Sequence, residues 1–273
     1  MTTTSFDQTH ATVREHYSKV AQTDGACGCG PGCCSGQGRS TDLGYTEGQL
    51  AGLPEGADMG LGCGTPLAFA QLRPGETVLD LGSGGGIDCF LAASQVGPTG
   101  RIIGIDMTAE MIHKARGNAR KVAATNVEFR LGEIENLPVP DRSVDVIVSN
   151  CVINLSPDKD AVFRDAFRVL KPGGRLAISD MVTSAPLPEA VRNDPAALAG
   201  CIAGAPAVEE LRSHLMAAGF RDVVIEVNAA SRSFIKGWNP GSGAEEFVAA
   251  AAVRAIRPAG DGCCGMVSAS SCC

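Results

Sequence analysis

Three cysteines stand in three unrelated settings: Cys63 in Gly-Leu-Gly-Cys-Gly-Thr-Pro, Cys151 in Ser-Asn-Cys-Val-Ile-Asn-Leu and Cys201 in Ala-Gly-Cys-Ile-Ala-Gly. Between the first two lies Asp80-Leu-Gly-Ser-Gly-Gly-Gly-Ile-Asp88, a turn whose glycines let backbone N–H groups approach a ligand closely. Thiolates select soft, thiol-seeking centres. Three of them gathered over a nucleoside cofactor point to chemistry on such an atom.

The glycine turn alone does not choose the cofactor, because dinucleotide dehydrogenases use a similar one. Two details weigh against a dinucleotide. The third glycine of G-x-G-x-x-G falls on Ile87, and Asp80 sets a carboxylate where a pyrophosphate would otherwise lie. A carboxylate there repels phosphate but accepts hydrogen bonds from an ammonium group, which fits a nucleoside with an amino-acid tail. Asp106, at the end of the next apolar run, is within reach of a ribose diol, and Gly132-Glu-Ile-Glu135 follows the third run, where an adenine edge would lie. Solvated strand ends are the plain alternative for these acids; it is weakest for Asp80 and Asp106 and even for Glu133.

The elements that must carry these residues follow from pattern. Thr77–Leu81, 101–105, Val127–Leu131, 144–148 and 175–179 are short runs of β-branched and aliphatic residues, as buried parallel strands are. Helical stretches near 86–96, 108–124 and 158–170 separate them, the last stopped by Lys171-Pro-Gly-Gly174 and followed directly by a strand. This alternation predicts an α/β fold, a doubly wound and mostly parallel sheet of the Rossmann-like kind. An amphipathic helix is expected over 6–20, with Val13, Tyr17 and Val20 on one face. Residues 183–206, rich in Ala and Pro around Cys201, read as irregular; 206–218 reads as helix, and 222–227 and 246–256 as two late strands.

Composition limits the setting. The 273 residues are 44% hydrophobic and carry a net charge of −7, which supports a real core and argues against a nucleic-acid surface. No apolar run approaches the ~20 residues that span a bilayer, and the first residues lack the basic and apolar stretches of a signal peptide. The expected address is the cytoplasm, where thiols stay reduced and 12 cysteines read as ligands or redox groups.

Asp80-Leu-Gly-Ser-Gly-Gly-Gly, Gly104-Ile-Asp106 and Leu170-Lys-Pro-Gly-Gly174 resemble the motifs of class I S-adenosylmethionine-dependent methyltransferases over roughly 65–182. Glu15-His-Tyr-Ser-Lys-Val20, Gly44-Tyr-Thr-Glu-Gly48, the stretch from Pro54 to Pro66 and Ser149-Asn-Cys-Val-Ile-Asn-Leu155 narrow this to a resemblance to arsenite methyltransferases, from about residue 11 to 240. The last two segments are highly specific. The resemblance implies that Cys63, Cys151 and Cys201 hold As(III) as a neutral thiolate complex. The arsenic lone pair would then attack the sulfonium methyl, with no general base needed. It implies cofactor contacts from Tyr17, Asp80, Gly82, Ser83 and Gly84, and from Asp106, Met107, Ile134, Glu135 and Asn150. On this reading His10, His16, His113 and His214 are surface or packing residues, and Cys89 is a buried small hydrophobe.

The resemblance also implies that one cysteine of the cluster Cys27, Cys29, Cys33 and Cys34 captures arsenic or forms a disulfide with a triad thiol during turnover. That cluster could instead hold zinc, although its C-x-C-x₃-C-C spacing lacks paired C-x₂-C knuckles. Methylation formally oxidises As(III), so a thiol reductant, thioredoxin or glutathione, is expected beside S-adenosylmethionine. The expected partners are arsenite, methylarsenite and glutathione-bound arsenic; no nucleic acid or membrane is expected, and the chain is expected to be a monomer. The expected organisation is 1–64 as a cap, 65–182 as the cofactor domain, 183–258 as the arsenic-binding region and 259–273 as a Cys-rich tail. In that tail Cys263, Cys264, Cys272 and Cys273 either gather arsenic or have no role. Three rivals stand: another small-molecule methyltransferase, a thiol-rich sequestering protein on a degenerate methyltransferase fold and, more distantly, a dehydrogenase.

Overall fold

A computed structural model describes residues 3–22, 40–238 and 243–260. Seven strands form one sheet in the order β3-β2-β1-β4-β5-β7-β6. They are β1 (Thr77–Leu81), β2 (Arg101–Asp106), β3 (Val127–Leu131), β4 (Val144–Asn150), β5 (Leu170–Thr183), β6 (Arg221–Asn228) and β7 (Val248–Ile256). The first five pair in parallel, while β7 enters antiparallel between β5 and β6. The five early strands and both late ones fall where the sequence pattern put them.

The central strands carry apolar residues on both faces because both faces are covered. Val78, Leu79 and Leu81 of β1 and Val144, Val146, Ile147 and Val148 of β4 are fully buried. One face receives α4 (Ile87–Val96) and α5 (Ala109–Lys121), through Ala92, Val96, Ile112 and Ala115. The other receives α6 (Lys159–Val169) and α9 (Val208–Ala217), through Val162, Phe163, Leu211 and Leu215. The order changes direction between β1 and β4, which opens a crevice beyond their carboxyl ends.

Helix α1 (Thr3–Gln22) extends a few residues beyond the expected 6–20 at both ends and lies over α5, with Val20, Ala21, Met59 and Met111 buried together. The structure departs from the sequence reading in two places. Residues 183–206 are not wholly irregular: they contain α7 (Glu189–Arg192) and α8 (Pro195–Ala199). Asp194 caps α8 by accepting from Ala196 N, Pro195 fills its first turn and Gly200 ends it.

Lys171-Pro-Gly-Gly174 does not delay the next strand. Leu170 is already extended and pairs with Val144, and a register shift between Val144 and Val146 absorbs the extra residues. Arg257, 5% exposed, ties this junction by donating to Phe167 O at 2.6 Å and Leu170 O at 2.7 Å. Those carbonyls at the end of α6 would otherwise lack partners. Three further short helices, α2 (Glu47–Ala51), α3 (Leu67–Ala70) and α10 (Arg232–Trp238), surround the sheet.

Candidate active site

The turn after β1 folds back over β2, with Gly82 N and Ser83 N each donating to Ile105 O at 2.8 Å. Gly82 and Gly84 sit at φ +71° and +51°, where a side chain is strained. Asp106, partly buried at the end of β2, accepts from Gly84 N at 3.0 Å and from Thr108 N at 2.8 Å. One carboxylate therefore closes the turn and starts α5. The Ser83 hydroxyl is buried without a hydrogen-bond partner, and a Cβ built on Gly84 would meet nothing within 4 Å. An unpaired buried hydroxyl in a turn that has open space at Gly84 is compatible with a ligand at this turn.

Asp80 and Asp88, each 3% exposed, lie under the same turn. The Cys89 thiol donates to Asp80 Oδ2 at 3.2 Å, so this cysteine is a fully buried packing residue with one polar duty. The Tyr45 hydroxyl donates to Asp88 Oδ1 at 2.9 Å. Burial, with the neighbouring Asp88 and Asp106 charges, pushes the Asp80 carboxyl well above its usual range. Burial lifts Asp88 to about 6 against the opposing bonds from Tyr45 and Asn150. Three acids crowded here favour a cationic ligand.

That crowding makes stability depend on pH. Between an unfolded value near 3.8 and the folded value of about 6, the folded chain keeps a proton on Asp88 that the unfolded chain has lost. Stability of the ligand-free chain is therefore expected to fall as pH rises through this window, and to rise again on acidification to about 5. A bound cation favours the ionised acids and is expected to flatten the slope. Thermal midpoints at several pH values, with and without S-adenosylmethionine, test this; a ligand-free midpoint rising from pH 5 to 6 would reverse the sign.

Asn150 ends β4 and fixes the loop that carries Cys63. Its Oδ1 accepts from Cys63 N at 3.0 Å, and its Nδ2 donates to Gly64 O at 2.8 Å and to the Tyr45 hydroxyl at 3.0 Å. The side-chain amide thus fastens the Cys63 loop to the acid cluster.

The three thiols come together just past the sheet edge. Cys63, Cys151 and Cys201 are 3%, 8% and 2% exposed and unpaired by disulfides. The Cys63 and Cys151 sulfurs lie within 4.8 Å of each other, whereas Cys201 stands outside that group. Cys201 Sγ donates to Cys151 O at 2.6 Å. Burial pushes up the thiols of Cys63 and Cys151; for Cys201 the contact with Cys151 leads and burial adds to it. Cys151 and Cys201 hold left-handed backbone, φ +58° and +59°, which costs a non-glycine residue about 1–3 kcal/mol. Their turns are pinned by Cys151 N to Ser179 O at 2.8 Å and Cys201 N to Leu198 O at 2.9 Å.

A fourth group, unforeseen from sequence, joins them. An oxygen of Asp180 lies within 4.8 Å of the sulfurs of both Cys63 and Cys151. Asp180 is 3% exposed and accepts from Met181 N at 2.8 Å and Asn154 N at 3.3 Å. Burial lifts its carboxyl to about 6, opposed by those bonds and by Lys159, whose ammonium donates to Ser156 O at 3.2 Å. In sequence Asp180 reads only as the polar end of an apolar run; the Asn150–Ser179 register of β4 and β5 is what turns it toward the thiols.

The other expected site residues are distributed around this centre. The Tyr17 hydroxyl donates to Ala199 O at 3.0 Å, joining α1 to α8 near Cys201. Met107 packs against the apolar cluster holding the three cysteines, and Ile134 is buried in the sheet core. Glu135 is bonded to His10 Nε2 at 3.0 Å and to the Ser156 hydroxyl, so its carboxylate anchors α1. Arg14 of the same helix meets Glu133, beyond the end of β3, at 3.2 Å. His214 pairs with Asp160, away from the thiols in sequence and on other elements. Cys27, Cys29, Cys33 and Cys34 and the four tail cysteines lie outside the described residues.

Among the described residues no helix is long and apolar enough to cross a membrane. Residues 72–219 match the family model of a methyltransferase domain. An arsenite methyltransferase of Halobacterium salinarum is 50% identical over 267 residues, covering 93% of this chain and 68% of the relative. One from Aquipseudomonas alcaligenes is 41% identical over 203 residues, 72% of this chain and 57% of its own, so this chain spans well under two thirds of that relative. The crystal structure of an arsenic(III) S-adenosylmethionine methyltransferase from Chlamydomonas reinhardtii superimposes with a TM-score of 0.59 at 30% identity, covering 85% of this chain and 76% of that one.

Proposed function

Because the chain belongs to the arsenite methyltransferases, on a class I S-adenosylmethionine-dependent fold, we propose that it moves a methyl group from S-adenosylmethionine to trivalent arsenic held by Cys63, Cys151 and Cys201. The meeting of three buried thiols from three separate segments, beside a turn with an unpaired buried hydroxyl, is the observation that carries this reading. The Cys63 and Cys151 sulfurs lie within 4.8 Å of each other and the Cys201 thiol is anchored on the Cys151 carbonyl, so turning Cys201 toward them would complete a three-sulfur site for one soft centre. They are protonated when free; each S–H proton leaves with the hydroxide or thiolate that arsenic gives up as the As–S bond forms.

The residues around the turn suit a cationic nucleoside. Asp80 and Asp88 supply buried acids that a bound cation would ionise, Ser83 an unpaired hydroxyl, and Asp106 a partly buried carboxylate at the end of β2. S-adenosylmethionine supplies an electrophilic methyl on a sulfonium. The chain's part is to hold arsenic in line with it, and orientation of two bound reactants is a large source of rate. Restoring trivalent product requires two electrons, which we assign to protein thiols and a thioredoxin- or glutathione-type reductant.

The deciding assay combines purified chain, arsenite, S-adenosylmethionine and glutathione or thioredoxin, with arsenic species resolved over time by mass spectrometry. Methylated arsenic is the expected product. Labelled methyl appearing only on carbon or oxygen substrates would favour another methyltransferase, and arsenic binding without transfer would favour sequestration.

Asp106→Ala is expected to weaken cofactor binding about 10- to 100-fold, from loss of charged hydrogen bonds worth roughly 1.5–3 kcal/mol. Arsenite affinity should stay nearly intact, because the thiols rest on the end of β4, the segment after α8 and the Cys63 loop. Separate titrations of the two ligands check this, and equal losses would mean that the variant disturbs the whole edge of the sheet.

A further inference from the structure

We propose that the Asp180 carboxylate stabilises the positive charge that methyl transfer delivers to arsenic. The proposal rests on arsenic being held by the three thiols. Arsenic bound to three thiolates is neutral. As its lone pair forms the As–C bond, the methyl–sulfur bond breaks and its electron pair stays on the cofactor sulfur. The cofactor becomes a neutral thioether, and arsenic passes formally from As(III) to As(V), carrying the charge the sulfonium gave up. One unit of positive charge therefore moves from the glycine turn toward the thiols.

The acids near the turn resist this movement. Asp80, Asp88 and Asp106 favour the cation while it is on the cofactor and lose that interaction as it leaves. An anion beside the arsenic has to compensate. Asp180 has that position, with an oxygen within 4.8 Å of both the Cys63 and Cys151 sulfurs. Its carboxylate is already oriented by Met181 N at 2.8 Å and Asn154 N at 3.3 Å, so little rearrangement is needed as charge develops. Lys159, the cation facing it, is held on Ser156 O at 3.2 Å rather than in an ion pair with the carboxylate. As a hard oxygen, Asp180 competes poorly with thiolates for direct bonding to arsenic, which leaves it the electrostatic role.

The test is Asp180→Asn in the full chain. Single-turnover methyl transfer from labelled S-adenosylmethionine to saturating arsenite is measured beside the equilibrium affinities for each ligand. Transfer is expected to slow about 100-fold or more, as when one preorganised electrostatic partner is lost, with both affinities little changed. A wild-type transfer rate overturns the proposal, and so does a loss of arsenite affinity that accounts for the whole rate loss. Should that variant fail to fold, Asp180→Glu carries the test. A charge displaced by one methylene is expected to slow transfer about 10- to 100-fold with arsenite affinity kept, and a wild-type rate again overturns it. Failure of the underlying site is separately visible: a Cys151→Ser chain that binds and methylates arsenite normally would remove arsenic from these thiols altogether.

Discussion

Cys151→Ser and Cys201→Ser are each expected to abolish methylation of both arsenite and methylarsenite. A serine hydroxyl is a hard, weakly acidic ligand that does not replace a thiolate on As(III). Arsenite can use three sulfurs, whereas methylarsenite already carries a carbon and needs two. The Cys201 thiol is fastened to the Cys151 backbone carbonyl, so on the proposed reading these two form the pair left for the second substrate. Cys63 approaches from a separate loop held by Asn150. Its serine variant should therefore lose most of the first methylation and keep much of the second. Initial rates on the two substrates, with arsenic products separated by mass spectrometry, show whether they diverge for Cys63 alone. Normal turnover of both by the Cys201 variant would remove the α8 segment from the site.

The second large effect is a contrast between two neighbouring glycines. A Cβ at Gly82 would stand 2.3 Å from Val152 Cγ2 and 2.6 Å from Cγ1, at φ +71°. Gly82→Ala is expected to destabilise the chain by about 2–4 kcal/mol, from strained backbone and a forced shift of Val152. Because Val152 follows Cys151, arsenite and cofactor affinity should fall together. Gly84→Ala points its methyl into open space instead. That chain should lose at most about 1–2 kcal/mol of stability yet bind S-adenosylmethionine far more weakly, since the methyl occupies room reserved for ligand. Thermal melts and cofactor titration on both variants separate the outcomes. Wild-type cofactor affinity in Gly84→Ala would place the cofactor elsewhere.

Much of this architecture is legible in the sequence alone. Parallel strands buried on both sides announce themselves as unbroken aliphatic runs, and Val144–Asn150 is such a run. The last strand is legible because β7 is almost wholly Ala, Val and Ile, although its antiparallel insertion between β5 and β6 has no signal in a linear pattern. The short helices α2, α3 and α10 span too few turns to show a period, and α7 and α8 were lost in a stretch rich in alanine and proline. The Asp194-Pro195 start and Gly200 stop of α8 were nonetheless readable cues.

At the site, residue types were visible and their duties were not. Asp80, Asp106 and the glycines could be placed from the strand–turn–helix grammar. Asn150 and Glu135 are expected to contact the cofactor, and their polar atoms also fasten the Cys63 loop and α1, a duty that spacing does not reveal. Asp180 escaped notice because its neighbours come from strand register and two distant loops. No spacing within one segment encodes that meeting.

The left-handed backbone at Cys151 and Cys201 sets this chain's chemistry against its own durability. Glycine or asparagine suits such a conformation better than cysteine does. A laboratory library sorted for heat resistance alone would thus have a physical incentive to discard sulfur at these two codons, whereas at Cys89, inside a regular helix, it would have none. Descendants no longer exposed to the toxic element would drift the same way. On the proposed reading, loss of the pair in an otherwise well-folded relative would be the expected trace of selection for the activity having ended.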